Sequence, residues 1–458
     1  MQDYKAPLDL NENYSFDVLV KDHGTNFAGK LTLSPNECTL KVMGERQISL
    51  EFYNFDKIEC FTLQNHFLLS DVQLKNFGFT SLRLNDQKNR GSFFEIEFHV
   101  GLVIKSNTKI TKETLFNGFC IESDIIKEWT GITNKQAEVL MKVSDKAMFN
   151  NDLNLFEIPL DNTGILYLSY SLNIHTNLKT LSSGVKLTPQ LGLFFYENKC
   201  VKDFFKEIKK LYVFISFFWG SGFQVNQIKV NVLNLKHCNV SAYYPKNFER
   251  VCRVYPLVPL GFDLQSRVND YIGLPFDVFK KYYNLSKDKV EYFNKYIRYR
   301  EMKSDEEKFL GYFRILEKIV YQSESYVNPT VLEEILEKSE NYLKIRLDAK
   351  QKNIKSLIKR VLYANNGKFN TSTCISKFYE LIPDDLKEIM DYSKSDIEKI
   401  CKLRNDITHA NEYYIKESEL YGYTQFIQQL LCFAMFNKLL ETPLEILAPL
   451  RVNFKKIT

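Results

Sequence analysis

Ser304-Asp305-Glu306-Glu307-Lys308-Phe309-Leu310-Gly311-Tyr312-Phe313-Arg314-Ile315-Leu316-Glu317-Lys318-Ile319-Val320 marks where the pattern of this chain turns helical. Ser304 with Glu307 three residues on reads as a capping box, the serine oxygen accepting from first-turn amides and the glutamate reaching back. Phe309, Phe313, Leu316 and Val320 then recur at i, i+4, i+7 and i+11, the spacing of one buried helical stripe. The sequence beyond keeps this character. Asn328-Pro329 places an N-cap residue before a proline suited to the first helical position, and predicts a helix over Val331–Leu347. Gly367 and Pro383 punctuate the next section, and Ser395 with Glu398 predicts a second capping box opening Asp396–Thr408. A last helix over about Glu417–Leu440 is apolar across Phe426–Leu440, as expected at the centre of a bundle.

Toward the N-terminus the period changes. Lys30–Leu33 and Cys38–Val42 flank the turn-rich Ser34-Pro35-Asn36-Glu37 and predict a hairpin. Further strands are expected at Ile48–Phe52, Phe61–Leu69, Phe79–Leu84, Phe93–Ile104, Asn154–Ile158, Ile165–Leu172, Val185–Leu187, Leu191–Tyr196 and Phe223–Leu233. Short helices are expected at Glu122–Trp129 and Lys202–Leu211. Strands at this spacing suggest a sandwich or barrel. The fold class expected is therefore α+β and multidomain: a β-rich region over 1–255, a helical connector over 256–303, and an all-α bundle over 304–458.

Composition sets outer limits. The 458 residues are enough for two to four domains, and 45% apolar with 26% charged residues is ordinary globular composition, against bulk disorder. The net charge of +5 argues against a chain coated in nucleic acid along its length. Residues 301–458 hold 24 basic and 24 acidic side chains, so the excess lies wholly upstream. Within that neutral stretch, Lys344 to Arg360 carries seven positive charges against Asp348. Lys350, Lys352, Lys355, Lys359 and Arg360 are the candidate RNA-phosphate contacts in it, with a solvated helix face as the plainer account.

Met1–Leu10 lacks a basic segment followed by an apolar run, so no secretory signal is expected. The strongest apolar stretch, Leu211–Trp219, is about nine residues against the ~20 a spanning helix needs, so core and no membrane contact is the expectation. Nine cysteines, scattered and without a C-x-x-C pair, read as reduced thiols in a cytoplasmic protein. Zinc needs three or four clustered ligands. His237, Cys238 and Cys252, or Cys60 with His66, do not make such a set, and no metal or other cofactor is expected.

The chemistry concentrates in Leu403-Arg404-Asn405-Asp406-Ile407-Thr408-His409. With 6 His and 13 Arg in the chain, Arg-x4-His arises by chance about 0.17 times, and Asn directly after Arg lowers that to about 0.014. His transfers protons near neutrality, and Arg holds a permanent planar charge matching phosphate oxygens. That pair suits cleavage of RNA by its own 2′-hydroxyl: His409 as base or acid, Arg404 against the charge on phosphorus. Asn405 and His409 are i, i+4 and share a helix face, so Asn405 can orient the imidazole. Arg404 and His409 diverge by about 140° on a straight helix, so a two-fold dimer presenting both segments to one cleft would make the better site. A surface arginine with a helix-end histidine near the last carbonyls is the competing account.

Arg404-Asn405-Asp406-Ile407-Thr408-His409 resembles the R-N-x-x-x-H motif of HEPN-domain ribonucleases. Phe309-Leu310-Gly311-Tyr312-Phe313-Arg314-Ile315-Leu316-Glu317 is similar to the first helix of that domain in ApeA-type anti-phage defence proteins, where a Leu-Glu pair recurs. The order of a long β-rich region and then a HEPN bundle matches as well. Trp129 and Trp219-Gly220-Ser221-Gly222 lie where such N-terminal regions carry aromatics. The resemblance implies a homodimeric, metal-independent, cytoplasmic endoribonuclease that halts growth on infection (abortive infection). Its substrate would be RNA, tRNA being one candidate, and a phage-derived protein could trigger it through the N-terminal region. It implies Arg404 and His409 as catalytic, Asn405 as supporting, and Glu317 as catalytic or as the structural partner of the arginine. A non-catalytic HEPN module that binds RNA or a protein is the alternative.

Overall fold

Alternation builds the first strands: in Cys38–Val42, Cys38, Leu40 and Val42 are buried while Thr39 and Lys41 are not. The structure is a computed structural model and describes residues 6–22, 25–45, 56–83, 90–144, 153–177, 182–233, 238–246, 256–259 and 276–455. The chain divides into two units, Met1–Asn284 and Leu285–Thr458.

Among its described residues the first unit holds twelve strands in an antiparallel arrangement. They are β1 (Tyr14–Asp22), β2 (Thr25–Leu33), β3 (Cys38–Glu45), β4 (Lys57–Phe61), β5 (His66–Arg83), β6 (Arg90–Ser106), β7 (Phe116–Glu122), β8 (Asn154–Leu160), β9 (Gly164–Asn177), β10 (Ser182–Lys199), β11 (Gln227–Val232) and β12 (Val240–Tyr243). The first six follow the order β3-β2-β1-β4-β5-β6, and β3 pairs back onto β6 from Thr39↔His99 to Glu45↔Phe93, closing a barrel. Beyond that closure Val103–Ser106 of β6 pair with β12, and the sheet continues as β12-β11-β7-β10-β9-β8. Closure leaves β3 without a free edge, while β8 ends the other side of the sheet.

Among the described residues, helices α1 (Asp124–Thr130), α2 (Asn134–Ser144), α3 (Val201–Trp219) and α4 (Asp277–Asn284) accompany these strands. The apolar stretch Leu211–Trp219 is the C-terminal half of α3, and most of its side chains are fully buried. Phe214 stacks on Tyr282 of α4 with ring centroids 3.9 Å apart, and Trp129 Nε1 donates to the Val258 carbonyl at 2.9 Å. No helix among the described residues is long and apolar enough to cross a membrane.

The second unit contains α5 (Lys287–Arg300), α6 (Asp305–Val320), α7 (Pro329–Arg346), α8 (Gln351–Asn365), α9 (Thr371–Glu380), α10 (Ile397–Thr408) and α11 (Glu417–Ala434), the last running into a π-helical turn at Met435–Leu439. Phe309, Phe313, Leu316 and Val320 are buried as their spacing predicts, and α6 packs against α11, α5 and α9. Ser304 Oγ accepts from the Glu307 amide at 3.3 Å, and Asn328 Oδ1 accepts from Thr330 and Val331. The α+β architecture, with a β-rich N-terminal region and a helical C-terminal one, is the class read from the sequence.

Several local expectations are corrected. The run Phe61–Leu69 is two strands, because Thr62 donates to the Asn65 carbonyl at 2.7 Å and the tight turn returns His66 opposite Phe61. Val185–Leu187 and Leu191–Tyr196 are one strand. Pro189 is tolerated there because the pairing with β7 begins only at Leu191, leaving the side facing β7 unpaired at the proline. The cap before α10 is Ser393 with Asp396, not Ser395 with Glu398: Asp396 Oδ2 accepts the Ser393 amide at 3.0 Å, and a 3₁₀ turn precedes the helix. Strands β1, β7 and β12 and helix α2 were not foreseen. Ile48–Phe52, and residues 260–275 of the expected connector, lie outside the described residues. Asp277–Asn284 falls in the first unit and Lys287–Arg300 in the second.

Candidate active site

The site assembles from three helices of the second unit. Phe313 and Glu317 are i, i+4 on α6 and share one face. The guanidinium carbon of Arg404, on α10, lies 5.2 Å from the Phe313 ring centroid, and Arg404 Nη2 donates to Glu317 Oε2 at 2.5 Å. Glu317 Oε1 accepts from Thr371 Oγ1 at 2.6 Å, at the first turn of α9. Arg404 Nη1 donates to Asn405 Oδ1 at 2.9 Å. The Arg404 and Glu317 side chains keep 22% and 28% of their surface exposed, so the pair is a wet one that fixes geometry more than it stabilises the fold. A guanidinium has five donors, and with two engaged the others remain for a ligand.

Phe313, Thr371, Arg404 and Asn405 line a cleft of about 790 Å³ together with Asn370, Ser372, Lys399 and Lys402, with Glu317 behind the arginine. Cys401 also lines it, but burial pushes its thiol up to about 11. At neutral pH it is protonated and a poor nucleophile.

His409 caps the C-terminus of α10, its amide donating to the Asn405 carbonyl at 2.9 Å. The next residue, Ala410, takes the left-handed conformation at φ +53°, and Asn411 closes the turn by donating its amide to the Asp406 carbonyl at 2.9 Å. The helix therefore ends one residue before His409. The imidazole is exposed, does not line the cleft, and meets no hydrogen-bonding partner among the described residues. Arg404, Asn405 and Glu317 are thus brought together in one chain and His409 stands apart. The Asn405 side chain engages Arg404, and its link to His409 is through backbone.

Residues 13–260 match the ApeA N-terminal domain 1, and residues 290–440 match the Apea-like HEPN domain. The chain belongs to the ApeA family. It is an ApeA-type protein with a C-terminal HEPN domain, a nuclease-type defence architecture. No curated protein and no solved structure matches the chain.

Within this HEPN domain the basic cluster lies elsewhere. Lys350 caps the start of α8, Lys352, Lys355 and Lys359 recur on its solvent face at i, i+3, i+7, and Arg360 lies further round; all five are exposed. None of them lines the Arg404 cleft. Every described cysteine is a free thiol, Cys60 is buried in β4, and His237 and Cys252 lie outside the described residues. Sequence reasoning missed Phe313 as the arginine's support, Thr371 as the second partner of Glu317, and Lys399 and Lys402. The i, i+4 pair Phe313/Glu317 and the cap-like run Asn370-Thr371-Ser372-Thr373 were the available signals.

Proposed function

We propose that this chain is an endoribonuclease effector of anti-phage defence, cutting RNA by attack of a 2′-hydroxyl on the adjacent phosphate without a metal ion. The observation that carries the reading is Arg404, seated on Phe313, clamped by Glu317 and lining a cleft, five residues before the His409 of the same R-N-x-x-x-H segment. Arg404 opposes the charge that grows on the phosphoryl oxygens. Glu317 and Asn405 position it. One imidazole takes the 2′-OH proton, the new bond forms to phosphorus, the bond to the 5′-oxygen breaks, and a second imidazole protonates that oxygen. The products are a 2′,3′-cyclic phosphate and a 5′-hydroxyl. Two imidazoles require two copies, so the working form is a homodimer with both His409 facing one cleft. The N-terminal unit would sense the trigger, a phage-derived protein being the expected class, in the cytoplasm.

Growth arrest with RNA cleavage on induced expression, both lost in His409→Ala, is the expected result; equal toxicity of the variant would remove the catalytic role. A non-catalytic binding module is the second reading, favoured by the exposed basic face of α8 and by the distance of His409 from the cleft. On that reading Arg404→Ala and Lys350→Glu weaken RNA binding while the unaltered protein yields no cleavage products.

A further inference from the structure

We propose that the groove along the first turns of α9 and α10 is the track on which a single RNA strand brings its phosphates to Arg404, an inference that rests on the nuclease reading above. The Arg404 cleft opens into a second cavity of about 620 Å³, the two sharing Ser372, Ser395 and Glu398. The added wall is rich in hydroxyls, Ser376, Ser393 and the Tyr379 phenol, with Lys394. Lys394 is paired with Glu380. Lys399 and Lys402, in contrast, are exposed and meet no carboxylate within ion-pair range among the described residues. Unpaired ammonium groups among small hydroxyls are the chemistry of phosphate contact, and Glu398 is the one carboxylate that the two walls share.

The helix sets the direction of the track. Lys399 and Lys402 are i, i+3 on α10, within about 60° of one another, and both line the cleft that holds Arg404. The strand must be single, because attack in line with the departing 5′-oxygen needs a backbone that a regular duplex does not allow. The cationic face of α8 borders neither cavity.

The test uses the full-length chain carrying His409→Ala, so that RNA is bound and not cut, with a fluorescein-labelled 12-nucleotide single strand followed by anisotropy across salt concentration. Lys399→Glu with Lys402→Glu raises Kd at least about tenfold and lowers the salt slope by about 1.4, two phosphates at ~0.7 each. Lys399→Arg with Lys402→Arg stays within about threefold of the parent. The same reversal of charge on α8, Lys355→Glu with Lys359→Glu, shifts Kd several-fold less. Parent-like binding by the groove variant, or the larger loss falling on the α8 variant, overturns the groove, while cleavage by the unaltered protein keeps the nuclease reading. A chain that neither binds this RNA nor cuts RNA removes both.

Discussion

Arg404 is held by an aromatic face, a carboxylate and an amide from its own neighbour, and this decides what substitutions around it should do. Glu317→Gln keeps an oxygen for Thr371 and removes the charge that seats the guanidinium. We expect it to slow RNA cleavage about tenfold while changing stability by less than ~1 kcal/mol, since the pair is wet; kinetics beside a denaturant melt separates the two effects. Ala410 holds a left-handed conformation that costs an alanine roughly 1–2 kcal/mol. Ala410→Gly should raise stability by about 0.5–1 kcal/mol after the extra freedom of glycine in the unfolded chain is counted. A loss of stability would contradict the assigned helix end. Cys401→Ser should leave cleavage within about threefold, because the buried thiol is protonated at neutral pH. A collapse of rate with intact folding would show that the thiol takes part.

At the scale of elements, α6 ties the bundle to the site. Gly311 of α6 faces Tyr299 of α5, and a Cβ there would sit 2.5 Å from Cγ of that ring. Helix propensity favours alanine over glycine by about 1 kcal/mol, but overpacking costs typically 1–3. The clash involves the root of the Tyr299 ring, so it wins: Gly311→Ala should lower Tm by several degrees in a thermal melt. Helices α6 and α7 were legible because a cap and a stripe, or a cap and a proline, agreed with each other. Strands β7 and β12 and helix α2 were not legible, since their burial comes from partners distant in sequence, such as Val240–Tyr243 on β6. The cap of α10 was misplaced by two residues because Ser393 and Ser395 offer the same side chain, and only the Asp396 carboxylate distinguishes them. For the site, the segment from Arg404 to His409 stood out through the scarcity of Arg and His. The partners of Arg404 depend on how α6, α9 and α10 pack, and spacing in one helix does not report that.

For the whole molecule, a net charge of +5 with a neutral 301–458 stretch leaves the proposed RNA chemistry to local groups, two exposed lysines and one clamped arginine lining a single cleft. The division after Asn284 leads to a further expectation. A fragment over residues 285–458 should fold, dimerise and cut RNA, with its regulation altered; a soluble dimeric fragment without cleavage would place part of the chemistry in the first unit. The central claim is most directly tested by the chemical ends of the products. Full-length protein incubated with labelled RNA in EDTA should leave 2′,3′-cyclic phosphates and 5′-hydroxyls, at a rate at least about 100-fold lower in folded His409→Ala. Cleavage undiminished in that variant, or 3′-hydroxyl and 5′-phosphate ends, would contradict it.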